Sequence, residues 1–361
     1  MVCVRAFAAF TAGRPPPVNA ARGAALALYP KRRQIRDFHR ATHSEFDLLH
    51  YFLPFTGYPY EGAEIDCPVC GSADHARIAH LDRRIKRLST HLCHHCGLFF
   101  TNPMPTEAEL ERYYAETYRA EYQLAFIRPR KTHQNKKWRE AERRAARLKD
   151  AAGLDAPGRT LDFGCGSGEL VYHLAGLGHE ARGFEPGADY GSFAQSRLGD
   201  ETKSSVHVGS WREMTFAPGS FDVITFLHVL EHLNDPMAAL KKCHEWLADD
   251  GVLYLETPNM QDYKIKGFDC FHFAHVLGFS GSNLKYAAKE AGFALLHEDW
   301  GTSLFLVKSG DPRGKPLDYD LAATVEKNRA DYQEGVTPLA YAKKHLKRIR
   351  RLVGEEVKQG R

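Results

Sequence analysis

The stretch Leu161-Asp162-Phe163-Gly164-Cys165-Gly166-Ser167-Gly168 constrains this chain more than any other. Three glycines alternate over five residues, and each admits backbone to a ligand where a Cβ would collide. The apolar run Arg159 to Phe163 feeds the loop as a buried strand would. Glu169 to Gly178 leaves it with helical patterning, ended by Gly178. A second strand, His179 to Phe184, then presents Glu185, 21 residues after Gly164. A carboxylate there accepts both hydroxyls of a ribose.

The loop departs from the dinucleotide fingerprint, which wants Gly or Ala five residues after its first glycine and room for a pyrophosphate. Glu169 stands there and would repel one. Asp162, just before the glycines, suits a cation instead. The match is to S-adenosylmethionine (SAM), whose ammonium and sulfonium are positive, and residues 125–310 resemble the class I SAM-dependent methyltransferases. A structural glycine-rich turn is the plain alternative. The agreement of the loop, Glu185 and the later strands argues against it.

Those later strands follow in alternation with helices. Helix Ala188–Leu198 leads to strand Ser205–Val208, then to strand Phe221–Phe226. Asn234-Asp235-Pro236 starts a helix to about Leu247, Gly251 ends its turn, and strand Val252–Glu256 follows. Helix Asn283–Ala291 precedes strands Ala294–Glu298 and Ser303–Val307. The expected fold is α/β, a Rossmann-like seven-stranded class I methyltransferase sheet with a final hairpin. Ligands in such sheets sit at the carboxyl ends of the strands, so Asp162, Glu185, Ser210, His228 and Glu256 should surround one crevice. The resemblance makes Asp162, Gly164, Cys165, Gly166, Gly168, Glu185, Ser210, Trp211 and His228 the cofactor-binding set. Ser210 stands where the family often has an Asp against the adenine amino group, and Trp211 would stack on or flank the base. Cys165 is most simply a small residue in the loop.

Of eight cysteines, four form Cys67-x2-Cys70 and Cys93-x2-Cys96, in the contexts CPVCG and CHHCG. Each tight turn, with a glycine just after it, points two thiolates at one ion, and two such turns complete a tetrahedron. A structural zinc (Zn2+) is the expectation; disulfides are the weaker alternative in a reducing cytosol. His91, His94 and His95 lie nearby, but four cysteines already close the site. Cys3, Cys165, Cys243 and Cys270 lack partners at ligand spacing.

His228-Val229-Leu230-Glu231-His232 matches H-x-x-E-H of zinc proteases, but it directly follows a buried strand rather than lying in an established helix. His232 reads as a hydrogen-bonded pocket histidine or a substrate contact. Further on, Phe271-His272-Phe273-Ala274-His275-Val276-Leu277-Gly278-Phe279-Ser280 is similar to the zinc-ribbon methyltransferases of deoxysugar nucleotides. They share the four-cysteine module, an aromatic stretch after it (here Tyr113, Tyr114, Tyr118 and Tyr122) and a catalytic His before a Phe-Ser helix start. That resemblance makes His275 the first candidate base and His232 the second; an ordinary interior His275 is the competing view. The family's preceding Glu is Ala274 here, so the base would lack its usual neighbour. The family's large domain after the methyltransferase is also missing from residues 311–361, which are mostly helical and basic.

Charge is uneven. Residues 1–36 hold seven Lys/Arg and no acid, whereas residues 151–310 hold 21 acids and 12 Lys/Arg. Residues 128–149 and 343–361 are also basic, as solvated helix faces or as nucleic-acid grips. The expected organisation is a basic arm over 1–44, a zinc-ribbon module with its aromatic connector over 45–124, the methyltransferase domain over 125–310 and a basic extension over 311–361. The arm reads as disordered, a transit peptide or a start placed too far upstream. No apolar run is long enough for a bilayer, and the start lacks a secretory core, so a cytoplasmic enzyme is expected. The acceptor is expected to be a small molecule, a sugar nucleotide or glycan precursor. RNA held by the ribbon and basic flanks is the alternative, though Phe226-Leu227-His228-Val229 lacks the Asn/Asp-Pro-Pro-aromatic pattern of base-amine methylation. A non-catalytic SAM-binding zinc scaffold is the other. The sequence gives no oligomeric state.

Overall fold

The computed structural model describes residues 56–114, 118, 131–198, 203–261 and 270–335. The arm over 1–44, Tyr122 and the basic stretch 343–361 lie outside them.

Seven strands form one sheet. In chain order they are β4 (Arg159–Phe163), β5 (Glu180–Glu185), β6 (Ser205–Val208), β7 (Phe221–Leu227), β8 (Leu247–Glu256), β10 (Phe293–Trp300) and β11 (Ser303–Lys308). Across the sheet they lie β10-β11-β8-β7-β4-β5-β6. Strands β4 to β8 pair in parallel, while β11 runs antiparallel to both β8 and β10. This is the Rossmann-like methyltransferase sheet with its closing hairpin, as the alternating elements implied. The order reverses between β4 and β7, where a doubly wound sheet opens its ligand crevice.

Burial explains why these segments are strands. Phe221, Val223, Ile224 and Phe226 of β7 are all buried, as expected where both faces are covered. Alternation then divides two cores: Phe163, Ile224, Phe226 and Leu255 pack on one face, Val223, Val252, Tyr254 and Phe305 on the other. Helices α3 (Glu169–Gly176), α4 (Ala188–Arg197), α5 (Pro236–Trp246) and α6 (Gly281–Glu290) supply the cover. Helix α2 (Lys131–Ala152) adds Ala141, Ala145 and Leu148 to the second core. The turn expected at Gly251 is a bulge inside β8. Strand β8 already starts at Leu247, opposite Phe221, and the register shifts before Val252 meets Val223. Asp249 and Asp250 are exposed there.

The smaller sheet holds β1 (His75–Leu81), β2 (Arg87–Cys93), β3 (Phe99–Thr101) and β9 (Leu277–Gly278). The last of these comes from the segment between β8 and α6, so the larger unit supplies an edge to the cysteine module. Cys67, Cys93, Cys96, Leu98 and Phe100 join the same core as Phe163 and Phe226. Helix α1 (Glu107–Arg112) follows, capped by Thr106 with Glu109 in a capping box. Helix α7 (Leu321–Gly335) closes over the second cysteine turn: Asn328, 1 % exposed, donates to Gly97 O at 2.8 Å and to Ser280 Oγ at 3.0 Å. No helix among the described residues is long and apolar enough to cross a membrane.

Candidate functional site

Strand β4 delivers Asp162 to the crevice, where its Oδ1 accepts a hydrogen bond from Thr225 Oγ1 at 2.7 Å. Burial pushes the Asp162 carboxyl up to about 6, against the Thr225 bond. Glu169 and Glu185 add further negative field. Three carboxylates sharing one crevice suit a cationic ligand and oppose a pyrophosphate.

The loop after Asp162 runs through left-handed backbone at Gly164 (φ 71°), Gly166 (φ 55°) and Gly168 (φ 73°). A Cβ on Gly164 would meet Val229 Cγ2 at 2.8 Å, whereas one on Gly166 would meet nothing within 4 Å. Gly164 is therefore a packing requirement and Gly166 leaves open space in the crevice. Cys165 fills the gap over β5: a Cβ on Gly183 would lie 2.9 Å from its Sγ. Glu185 ties the loop down, its Oε2 accepting from Gly166 N at 3.1 Å and its Oε1 from Gly187 N at 3.0 Å. These features fit SAM: open space at Gly166, an acidic surround and a carboxylate at the end of β5.

Ser210 and Trp211 follow β6. Ser210 N donates to Glu213 Oε2 at 3.0 Å. Trp211 is 5 % exposed, its ring 6.2 Å from Phe163 and covered by the Arg212 guanidinium at 4.3 Å. Core packing thus holds the indole in place beside β4.

Strand β7 ends at His228, which takes φ 56°, unusual for a residue with a Cβ. Its N–H donates to Glu256 O at 2.8 Å, and its Nε2 lies 2.8 Å from Glu256 Oε1. Burial lowers the imidazolium's pKa, but Glu231 and Glu256 outweigh burial and hold it up at about 9. Glu256 is pushed down to about 2: burial raises it, but His228, Tyr254 and Arg144 prevail. Arg147, from α2, reaches Tyr254 Oη at 2.9 Å, and Tyr254 Oη donates to Glu256 Oε2 at 2.6 Å. Tyr254 is two residues away on the same strand, but His228, Arg144 and Arg147 come from distant segments and had no local signature.

A single 3-10 turn, Leu230–His232, buries Glu231 to 1 % exposure. Neither of its carboxylate oxygens has a hydrogen-bond partner among the described residues. Instead Oε1 lies 3.6 Å from His228 Nδ1, 3.9 Å from His232 Nε2 and 3.9 Å from His275 Nε2. His232 Nδ1 lies 2.6 Å from Ala274 O and 2.7 Å from Tyr114 Oη, and Tyr114 Oη also donates to Ala274 O at 2.9 Å. The rings of His232 and His275 meet edge to face at 4.7 Å. The structure thus brings the two candidate bases together with Tyr114. It adds Glu231, whose place in the spacing His228-x-x-Glu231-His232 was the available signal.

The four cysteines converge separately. Cys67 and Cys96 Sγ lie 3.6 Å apart, Cys70 and Cys93 Sγ 3.5 Å, and all four sulfurs fall within 4.8 Å of one another. No disulfide joins them. A tetrahedron with Zn–S near 2.3 Å has edges of about 3.8 Å, so the donor set fits such an ion. Gly71 (φ 70°) and Gly97 (φ 74°) close the two turns, donating to Cys67 O and Cys93 O.

Several known proteins are similar. Ubiquinone biosynthesis O-methyltransferase of Pseudomonas aeruginosa (strain LESB58) is 35% identical over 118 residues, covering 31% of this chain and 49% of the relative. The Xanthomonas campestris pv. campestris (strain B100) protein of the same name is 34% identical over 112 residues, 30% and 47% respectively. The chain thus spans about half the length of the curated relatives it matches. Among solved structures, magnesium protoporphyrin IX methyltransferase from Synechocystis PCC 6803 aligns at 16% identity with TM-score 0.41, over 56% of this chain and all of that one. Residues 137–298, which carry Asp162, the glycine loop, Glu185 and the Glu231 cluster, match the family model described as a methyltransferase domain.

Proposed function

We propose that this chain is a SAM-dependent methyltransferase acting on a small hydroxylated molecule. The contact of Gly164 with Val229 carries the reading: it sets the cofactor loop directly against the segment that bears His228, Glu231 and His232. A sugar nucleotide or glycan precursor is our acceptor class, supported by the resemblance of the His275 segment. The O-methyltransferase names of the relatives support a hydroxyl as the acceptor group.

Bound SAM supplies the methyl group and a thioether leaving group. The residues' work is alignment and proton transfer. Asp162 and Glu185 would hold the positive ligand at the loop that Gly166 leaves open. The acceptor hydroxyl gives its proton to a histidine as its oxygen takes the methyl. His275 is the first candidate, from the resemblance of its segment; burial and His232 push its pKa down to about 3, which keeps the ring neutral at pH 7, and Glu231 opposes them. His232 is the second. We assign the four cysteines a closed, structural zinc, supported by the sulfur spacing.

Methyl-labelled SAM incubated with the protein and a small-molecule extract tests the acceptor. Label is expected in the small-molecule pool. Ribonuclease-sensitive label in the macromolecular pool would overturn the assignment in favour of RNA.

A further inference from the structure

Resting on that reading, we infer that Glu231 is the positioning residue of the site, the buried counter-ion that orients His232 and His275 and stabilises the imidazolium formed when either takes the acceptor's proton.

The first observation is an imbalance. A carboxylate 1 % exposed with no hydrogen bond to either oxygen is costly to keep in the interior. What surrounds it is three imidazoles, each with a ring nitrogen 3.6 to 3.9 Å from Oε1. His228 already has Glu256 as its partner at 2.8 Å. Among the described residues, Glu231 is the carboxylate that lies within 4 Å of the His232 and His275 ring nitrogens.

The second observation is direction. With the proton of His232 Nδ1 turned to Ala274 O, an incoming proton lands on Nε2, the atom facing Glu231. His275 presents Nε2 to the same oxygen. At 3.9 Å neither contact is a hydrogen bond; each becomes one after a small approach once the ring is charged. The carboxylate is therefore set for the charged state, in the manner that catalysis rewards. Ala274 has no carboxylate to offer, and Glu231 supplies one from the other side of the His275 ring.

The remaining groups around His275 oppose protonation. His232, Arg83 and His228 add positive charge, and the His272 ring lies 3.9 Å away. Burial acts in the same direction, and Glu231 is the anion that counters them.

The test follows histidine ring protons by NMR as pH is varied, in the full-length protein and in Glu231→Gln, without added ligand. Removing the anion, which opposes burial and the neighbouring cations at His275, should move the His275 midpoint further down. Label transfer from SAM should fall by about a hundredfold with SAM affinity unchanged, and Glu231→Asp should recover part of it. An unmoved His275 midpoint overturns the inference, as does line broadening of the His232 and His275 rings by micromolar Mn2+ that Glu231→Gln abolishes, which would make the cluster a metal site. If Glu231→Gln does not fold, the Asp variant carries the titration. Midpoints that move in a protein transferring no label would refute the methyltransferase reading and leave the counter-ion in place.

Discussion

His228 Nε2 sits 2.8 Å from Glu256 Oε1, joining the ends of two adjacent parallel strands, β7 and β8, by an ion pair. The same His228 donates its backbone N–H to Glu256 O. Together these bonds hold a left-handed residue at the point where the chain leaves β7 for the Glu231 turn.

This pair makes stability depend on pH. The His228 pKa is raised from its ordinary 6.5 to about 9, so its contribution is complete below pH 6.5 and is lost as pH rises through about 9. Thermal unfolding from about pH 6 to 10 should show a decline in the native protein that His228→Gln largely lacks. Parallel profiles would refute the pairing.

Asp162 carries the opposite pH dependence, in binding. Its carboxyl ionises near pH 6, and a cationic ligand favours the ionised form. SAM affinity should therefore fall as pH drops below about 6. Asp162→Asn should weaken binding by about tenfold or more and flatten that dependence, as calorimetry at several pH values would show.

Much of this was legible from local pattern. The glycine loop, Glu185 and the alternation of strands and helices are short-range signals, and they yielded the sheet. Four features were not. The β8 bulge replaces a turn because Leu247 pairs with Phe221 before the strand resumes at Val252. Strand β9 is two residues long, and its pairing with β3 bridges about half the chain. Glu231 stood in the sequence only as a member of the H-x-x-E-H match, because its relation to His275 crosses from one loop to another. Tyr114 was one of four tyrosines in the aromatic stretch; its hydrogen bond with His232 distinguishes it.

For the cysteine cluster, metal analysis of the purified protein should give about one zinc per chain. Cys96→Ser should lose most of it and lower the unfolding temperature, because Cys96 and its neighbours are part of the main core. Full metal retention in that variant would contradict a four-thiolate site.

Asn328 joins α7 to the second cysteine turn and to the start of α6. Besides Gly97 O and Ser280 Oγ, its Oδ1 accepts from Gln261 Nε2 at 2.9 Å. Asn328→Ala leaves buried polar groups without partners and should destabilise the fold by about 2–3 kcal/mol in denaturant unfolding. An unchanged midpoint would show that α7 is dispensable to the cysteine module.

The most direct test of the account is equilibrium binding of SAM, measured by calorimetry on the full chain and on Glu185→Gln. The account predicts one SAM per chain, with affinity reduced by about tenfold or more in the variant, because Glu185 closes the Gly166 loop and is the carboxylate proposed to accept the ribose hydroxyls. No binding to the native chain, or equal binding by both proteins, would contradict it.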